Sequence, residues 1–196
     1  MEDSKRKLII LLDLGGVVFQ STGISNDIID WNVISELNDK YGHELNIGKD
    51  LFPTFLKEYN QRTHQSISGE TFLKSVFDTL QFNEELVSFL RKFGDIIIVS
   101  DNYRENIDYI SQRYNFSNWS VAQVYSFDYE MVKSESGFFS RLLIEQNIEE
   151  PGNLVFIDDS PKKLNRAKAH GISTIRFENN TQLKSDFFKW INKDLY

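Results

Sequence analysis

A chain of 196 residues with 40% hydrophobic and 26% charged side chains has enough apolar surface for one core and a small appendage, and is too apolar to stay disordered. A formal charge of −7 with no Lys/Arg-rich run excludes the clustered basic surface of a nucleic-acid binder. The absence of cysteine excludes a disulfide framework, a thiolate nucleophile and Cys-ligated zinc, fits a reducing compartment, and leaves oxygen as the donor for any metal.

The first stretch, MEDSKRKLIILL, has two acids before its basic residues, and its apolar run is cut by Asp13. That does not match a secretory signal peptide. No uninterrupted apolar run approaches the roughly 20 residues of a membrane span, so the expected setting is the cytoplasm, with no membrane partner. Residues 8–13 (LIILLD) read as the first strand. The region 23–93 offers no convincing strand and four stretches of helical spacing, at 27–41, 51–61, 70–80 and 84–93, the last closed by Gly94. It is expected to be a helical insertion. Its aromatics, Phe52, Phe55, Tyr59, Phe72 and Phe77, are at helical spacing, ordinarily a core signature and secondarily a pocket lining.

From residue 94 onward strand and helix alternate, with strands at 96–100, 121–127, 154–158 and 174–177 and helices at 104–114, 138–146, 161–170 and 182–191. Pro161 suits a first helical position and Gly171 a helix stop. The runs IIIV and LVFI are apolar on consecutive residues, as in strands buried on both faces of a parallel sheet. The expected fold class is therefore α/β, doubly wound, with residues 1–22 and 94–196 forming the core around the insertion.

In open α/β sheets the ligand site lies beyond the carboxyl ends of the strands. There stand Asp13, then Ser100-Asp101-Asn102, then Asp158-Asp159-Ser160, with Lys133 in the segment after the third strand. One Asp at a strand end is ordinarily a turn former or helix N-cap; several at one edge are not explained that way. Adjacent acids such as Asp158 and Asp159 repel, and each resists ionisation unless a cation or hydrogen-bond donors stabilise the pair. Mg²⁺ meets this chemistry, since it prefers oxygen ligands and binds one or two carboxylates together with a substrate phosphate. Ser100 and Lys133 are then candidates for the remaining phosphate oxygens, and Asp13 for the nucleophile that forms an aspartyl-phosphate. His43, His64 and His170 are scattered and give no zinc pattern, and no GK[ST] phosphate loop is present. Asn102, Tyr103, Arg104 and His64 are candidate substrate contacts.

In this order, and over essentially the whole chain, the motifs resemble those of the haloacid dehalogenase-like (HAD) superfamily. LLDLGGVVF is similar to its first motif, IIIVSDN to its second, Lys133 in YEMVKSESGFF to its third, and VFIDDSPKKLNRAKAHGISTIRF to its fourth. The resemblance implies a HAD-like Rossmannoid core with a small all-helical C1-type cap at 23–93, in the branch carrying DLGG or DLGN. It implies Mg²⁺ as cofactor and a small phosphorylated metabolite, a sugar phosphate among them, as substrate. By position, Asp13 would attack phosphorus and ligate Mg²⁺, joined by the backbone carbonyl of Gly15. Asp159 would be a direct metal ligand, with Asp158 ligating or supporting through water. Ser100 with the amides of Asp101 and Asn102 would bind phosphate, and Lys133 would offset the negative charge.

Two departures stand out. Most phosphatases of the superfamily carry a second Asp two residues after the nucleophile; here that position is Gly15, and general acid–base help is worth about 10²–10⁴ in rate. KSES stands where this branch usually shows lysine followed by Pro-Asp-Pro, which predicts a less constrained Lys133 loop. A catalytically weak or inactive binding or regulatory protein and a 2-haloacid dehalogenase remain as alternatives. A receiver domain fits badly, because it has no helical insertion.

Overall fold

The computed structural model describes residues 8–24, 26–149 and 151–193. The stretch before residue 8, on which the signal-peptide reading rests, and the expected end of the core at 194–196 lie outside the described residues. Strands β1 (Leu8–Leu12) and β2 (Phe19–Ser21) lead into helices α1 (Trp31–Asn46), α2 (Phe52–Thr63) and α3 (Gly69–Phe77), followed by β3 (Leu80–Phe82) and α4 (Glu84–Leu90). Then come β4 (Gly94–Ser100), α5 (Arg104–Tyr114), β5 (Ala122–Tyr125), α6 (Ser126–Tyr129) and α7 (Phe138–Glu145). The chain ends with β6 (Leu154–Asp158), α8 (Pro161–Lys168), β7 (Ser173–Arg176) and α9 (Asn180–Lys193).

Five strands form one parallel sheet in the order β5-β4-β1-β6-β7. This is the α/β architecture that consecutive apolar residues predict, and the side chains show why. Ile10 and Leu12 join Ile96, Ile98, Val155 and Ile157 in one apolar cluster, while Leu11, Ile97, Val99, Leu154 and Phe156 join another. Alternation along each strand thus separates two cores, one per face, rather than core from water. Leu90 of α4, Ile107 of α5 and Phe187 of α9 share the first core; Phe139 of α7 and Leu164 of α8 share the second. The chain winds outward from β1 to β4 on one side and returns to β6 on the other. The crevice of an α/β sheet opens at that reversal, beyond the end of β1.

The region 23–93 departs from expectation in three places. α1 begins at Trp31 because Asp30 caps it, its Oδ1 accepting from Asn32 N at 2.9 Å and Val33 N at 3.2 Å; upstream, Asn26 Oδ1 turns the chain by accepting from Ile28 N at 2.8 Å. The expectation of no strand is corrected by β3, which pairs antiparallel with β2, Phe19 opposite Phe82; three residues are too few to display an alternation. α4 is tied to α9, with Phe89 against Phe187 at 5.7 Å between ring centroids and Lys184 Nζ 2.5 Å from Glu85 Oε1. Further on, the expected strand 121–127 ends at Tyr125, where α6 begins. No described helix is long and apolar enough to cross a membrane.

Candidate active site

β1, β4 and β6 bring Asp13, Ser100 and Asp158 to one edge of the sheet. Lys133 arrives from the loop after α6, and its ammonium, 0% exposed, sits among three oxygens: Asp13 Oδ1 at 2.7 Å, Asp158 Oδ2 at 2.7 Å and the Val99 carbonyl at 3.0 Å. Buried charges persist when they are paired and hydrogen-bonded. Both carboxylates are also anchored by backbone, Leu14 N donating to Asp13 Oδ1 and Ser160 N to Asp158 Oδ1, each at 2.8 Å. The expectation of a less constrained Lys133 loop is corrected here. Lys133 N donates to Asp101 Oδ1 at 2.8 Å, Val132 N to Glu135 Oε2 at 2.8 Å, and Arg166 Nε to the Ser134 carbonyl at 3.1 Å, so hydrogen bonds hold the loop without proline.

Asp13, Asp158 and Asp159 bring carboxylate oxygens within 4.8 Å of one another, the first two buried and the third exposed. With Asp101, four carboxylates face the two ammoniums of Lys133 and Lys163, leaving two formal negative charges. An all-oxygen donor set with that excess fits a hard divalent ion such as Mg²⁺. Asp13, Asp158, Asp159 and the Gly15 carbonyl are the groups that would hold it.

The two glycines after Asp13 answer to different demands. Gly16 has φ +74°, and a Cβ there would run into the Asp159 carboxylate, so the backbone requires glycine. Gly15 is exposed, and a Cβ there would meet nothing within 4 Å.

Above this edge lies a cavity of about 560 Å³. Trp31, Asn38 and Asn46 of α1, Phe55 of α2 and Phe72 of α3 wall it on one side, and Asp101, Asn102, Tyr103 and Lys163 on the other. The Tyr103 hydroxyl donates to Asn38 Oδ1, tying the start of α5 to α1, and burial pushes the Tyr103 phenol up. Of the predicted phosphate group, Asp101 and Asn102 line the cavity, whereas Ser100 and Lys133 lie wholly buried behind it. Ser100 Oγ has no hydrogen-bond partner among the described residues, an orphan of the kind a ligand oxygen satisfies. The Asn102 amide, expected on phosphate, donates to Ser126 Oγ at 3.2 Å. Phe52, Tyr59 and Phe77 do not line the cavity; the Tyr59 hydroxyl instead donates to the Ile28 carbonyl at 2.7 Å and accepts from Asp30 N at 2.9 Å. Arg104 stacks over Phe127, 4.3 Å from the ring centroid, and His64 ends α2 in a left-handed conformation.

Sequence reasoning misses Lys163, whose Nζ lies 3.2 Å from Asp101 Oδ2 and 3.9 Å from Asp13 Oδ2. Burial opposes its charge, but Asp13, Asp101 and Asp158 outweigh burial and hold the ammonium above its ordinary value. The signal was available: Lys162 and Lys163 stand in the first turn of α8 with no acid in that turn, where the helix dipole disfavours cations.

No protein-family profile matches the chain, and no curated protein matches it. Solved structures do. A HAD family enzyme from Bacteroides thetaiotaomicron, in complex with magnesium and inorganic phosphate, is similar over 88% of this chain and 94% of its own, at 18% identity and a TM-score of 0.66. A predicted HAD-like family hydrolase from Porphyromonas gingivalis is similar over 94% and 98%, at 16% identity and 0.66. A 2-haloacid dehalogenase from Pseudomonas syringae pv. tomato is similar over 87% and 86%, at 12% identity and 0.56. The fold of this chain is the HAD-like Rossmannoid fold of these proteins.

The glycine pair makes a paired prediction for thermal unfolding. Gly16→Ala is expected to cost about 1–2 kcal/mol from the left-handed backbone alone, a fall in Tm of roughly 2–8 °C, while Gly15→Ala stays within about 0.5 kcal/mol of the parent. Equal effects would remove the distinction between the two positions.

Asp13 makes a second prediction. Burial pushes its carboxyl above the ordinary value, against the pull of Lys133 and Lys163. Between the unfolded and the native values the folded protein holds a proton that the unfolded chain has released, so ionising Asp13 costs stability as pH rises through that window. Asp13→Asn removes that cost. In magnesium-free melts it is expected to raise Tm at pH 7, with the gain shrinking as pH falls below the ordinary carboxylate range. A lower Tm at pH 7 would mean that the ion pair with Lys133 outweighs burial.

Proposed function

We propose that this chain is a Mg²⁺-dependent phosphatase of small phosphorylated metabolites, working through an aspartyl-phosphate on Asp13. The observation that carries this reading is Asp13 itself, at the end of the central strand, 2.7 Å from a buried lysine and within 4.8 Å of two further carboxylates. The motif resemblance supports it, as does a fold shared with an enzyme in complex with magnesium and inorganic phosphate.

Asp13 Oδ1 is engaged by Lys133 and the Leu14 amide, which leaves Oδ2, on the Lys163 side, to attack phosphorus. The bond from phosphorus to the leaving oxygen breaks, that oxygen takes the electron pair and then a proton from water. A second water attacks the aspartyl-phosphate at phosphorus, releases inorganic phosphate and restores the carboxylate. Magnesium, when bound, supplies Lewis-acid neutralisation of phosphate charge. Lys133 holds Asp13 and Asp158 in register and offsets their charge. Ser100 Oγ, buried and unpartnered among the described residues, offers a donor to phosphate.

Helices α1–α3 act as the cap, excluding water and choosing the substrate. The side-chain amides of Asn38, Asn46, Asn102 and Asn106 and the Trp31 ring line the cavity, a neutral hydrogen-bonding surface that suits a hydroxylated leaving group. Sugar phosphates therefore head the substrate class, in a cytoplasmic setting, with no nucleic-acid or membrane partner. One observation favours a second reading, a binding or regulatory protein of little turnover: Gly15 has no carboxylate to give a proton. A 2-haloacid dehalogenase is the less favoured enzyme, because metal-free carbon–halogen hydrolysis does not require the Asp158–Asp159 pair.

Phosphate release from p-nitrophenyl phosphate and from a panel of sugar phosphates, nucleotides and phosphorylated cofactors tests the proposal. Release is expected to need magnesium, to stop on chelation and to be lost in Asp13→Asn. Release indifferent to Asp13→Asn would sink the nucleophile assignment. Magnesium binding without turnover would favour the binding protein, and halide release from a 2-haloacid the dehalogenase.

A further inference from the structure

We propose that Lys163, rather than Lys133, supplies the cation that grips the transferring phosphate of the substrate. This rests on the phosphatase reading above. An ammonium has three N–H donors, and three protein oxygens already surround Lys133 Nζ at 2.7, 2.7 and 3.0 Å. Lys133 is 0% exposed and, like Asp13, does not itself line the cavity. Its donors are saturated, and it acts on substrate only through Asp13 and Asp158, as a positioning residue.

Lys163 is placed differently. Its side chain is 23% exposed, it lines the cavity, and among the described residues it is the only ammonium or guanidinium group in the lining. An incoming phosphate meets the carboxylate of Asp101 in the cavity wall and then that of Asp13, buried beyond it, both of which repel it, so the cation on the wall beside Asp101 decides whether it can approach. The 3.9 Å from Lys163 Nζ to Asp13 Oδ2 exceeds the range of about 2.7–3.2 Å for N–H···O bonds. That separation leaves room for a phosphoryl oxygen to lie against Nζ while phosphorus meets Oδ2. Asp101 fixes both lysines at once, accepting from Lys133 N through Oδ1 and pairing with Lys163 through Oδ2 at 3.2 Å. The lysine facing the substrate is thus held in register with the one that holds the nucleophile.

The test is calorimetric titration of the magnesium-loaded protein with inorganic phosphate, and of the metal-free protein with magnesium alone, for the wild type, Lys163→Met, Lys163→Gln and Lys163→Arg. Loss of one charge-assisted hydrogen bond is expected to weaken phosphate binding about 10- to 100-fold in the Met and Gln variants, with Arg restoring most of it. Magnesium binding is expected to hold or tighten, because a cation near Asp13 has been removed. Weaker phosphate binding with magnesium binding unchanged or tighter is the signature, and two neutral variants keep the measurement available if one folds poorly. Wild-type phosphate affinity in both neutral variants would overturn this proposal alone, as would parallel weakening of magnesium and phosphate, which marks a merely structural role. A wild-type protein that binds magnesium but no phosphate would overturn the phosphatase reading and this proposal with it.

Discussion

One buried ammonium fixes the geometry of this molecule's candidate site. Lys133 carries a full charge into a region without solvent, and such a charge is tolerated only where carboxylates and carbonyls surround it. Its three oxygens come from the ends of β1, β4 and β6, so the strands must end in register for the charge to be paired. The sheet in turn requires β1 between β4 and β6, where the two apolar cores meet its faces. Fold and site thus constrain each other. Moving any of the three strand ends by one residue would flip side chains between cores and strand a charge.

That mutual constraint explains which parts were legible in the sequence. Strands buried on both faces show as consecutive apolar residues, and LIILL, IIIVS and LVFID could be read for that reason. Polar residues ending such runs share one edge by the topology of a parallel sheet, so Asp13, Ser100 and Asp158 could be grouped without coordinates. The ion pairing could not, because which carboxylate a lysine meets is decided by loops whose conformation is set elsewhere. Nothing in the motifs singles out Lys163, and only the unfavourable placement of a cation in the first turn of α8 hints at anions waiting for it. Similarly β2 and β3 are three residues each, below the length at which any period can be seen.

The loop bearing Lys133 teaches a related point about substitution of mechanism. A ring that fixes φ and a network of hydrogen bonds are two ways to hold a backbone, and sequence inspection recognises only the first. Here Glu135 ties the loop to itself, and Asp101 and Arg166 fix it from two other directions. Asp101 comes from the end of another strand and Arg166 from α8, so the loop is ordered by tertiary structure and its rigidity is invisible locally.

The DLGG segment shows where structure and chemistry part company. Gly16 is set by its positive φ, whereas the open space around Gly15 would accept a side chain. The lack of a carboxylate at Gly15 is therefore not forced by the backbone. Two groups in the cavity wall are poor replacements, whereas the His43 imidazole, on the same wall, is an ordinary proton donor. The Tyr103 hydroxyl is already donated to Asn38 and burial pushes its phenol up, and the acids around Lys163 hold its proton more firmly than usual. On the phosphatase reading, protonation of the leaving oxygen then falls to water or to His43, a step that the alkoxide of a sugar needs more than a phenolate does. On the same reading the site is built around charge, with four carboxylates and two ammoniums gathered at one strand edge while Gly15 holds no side chain.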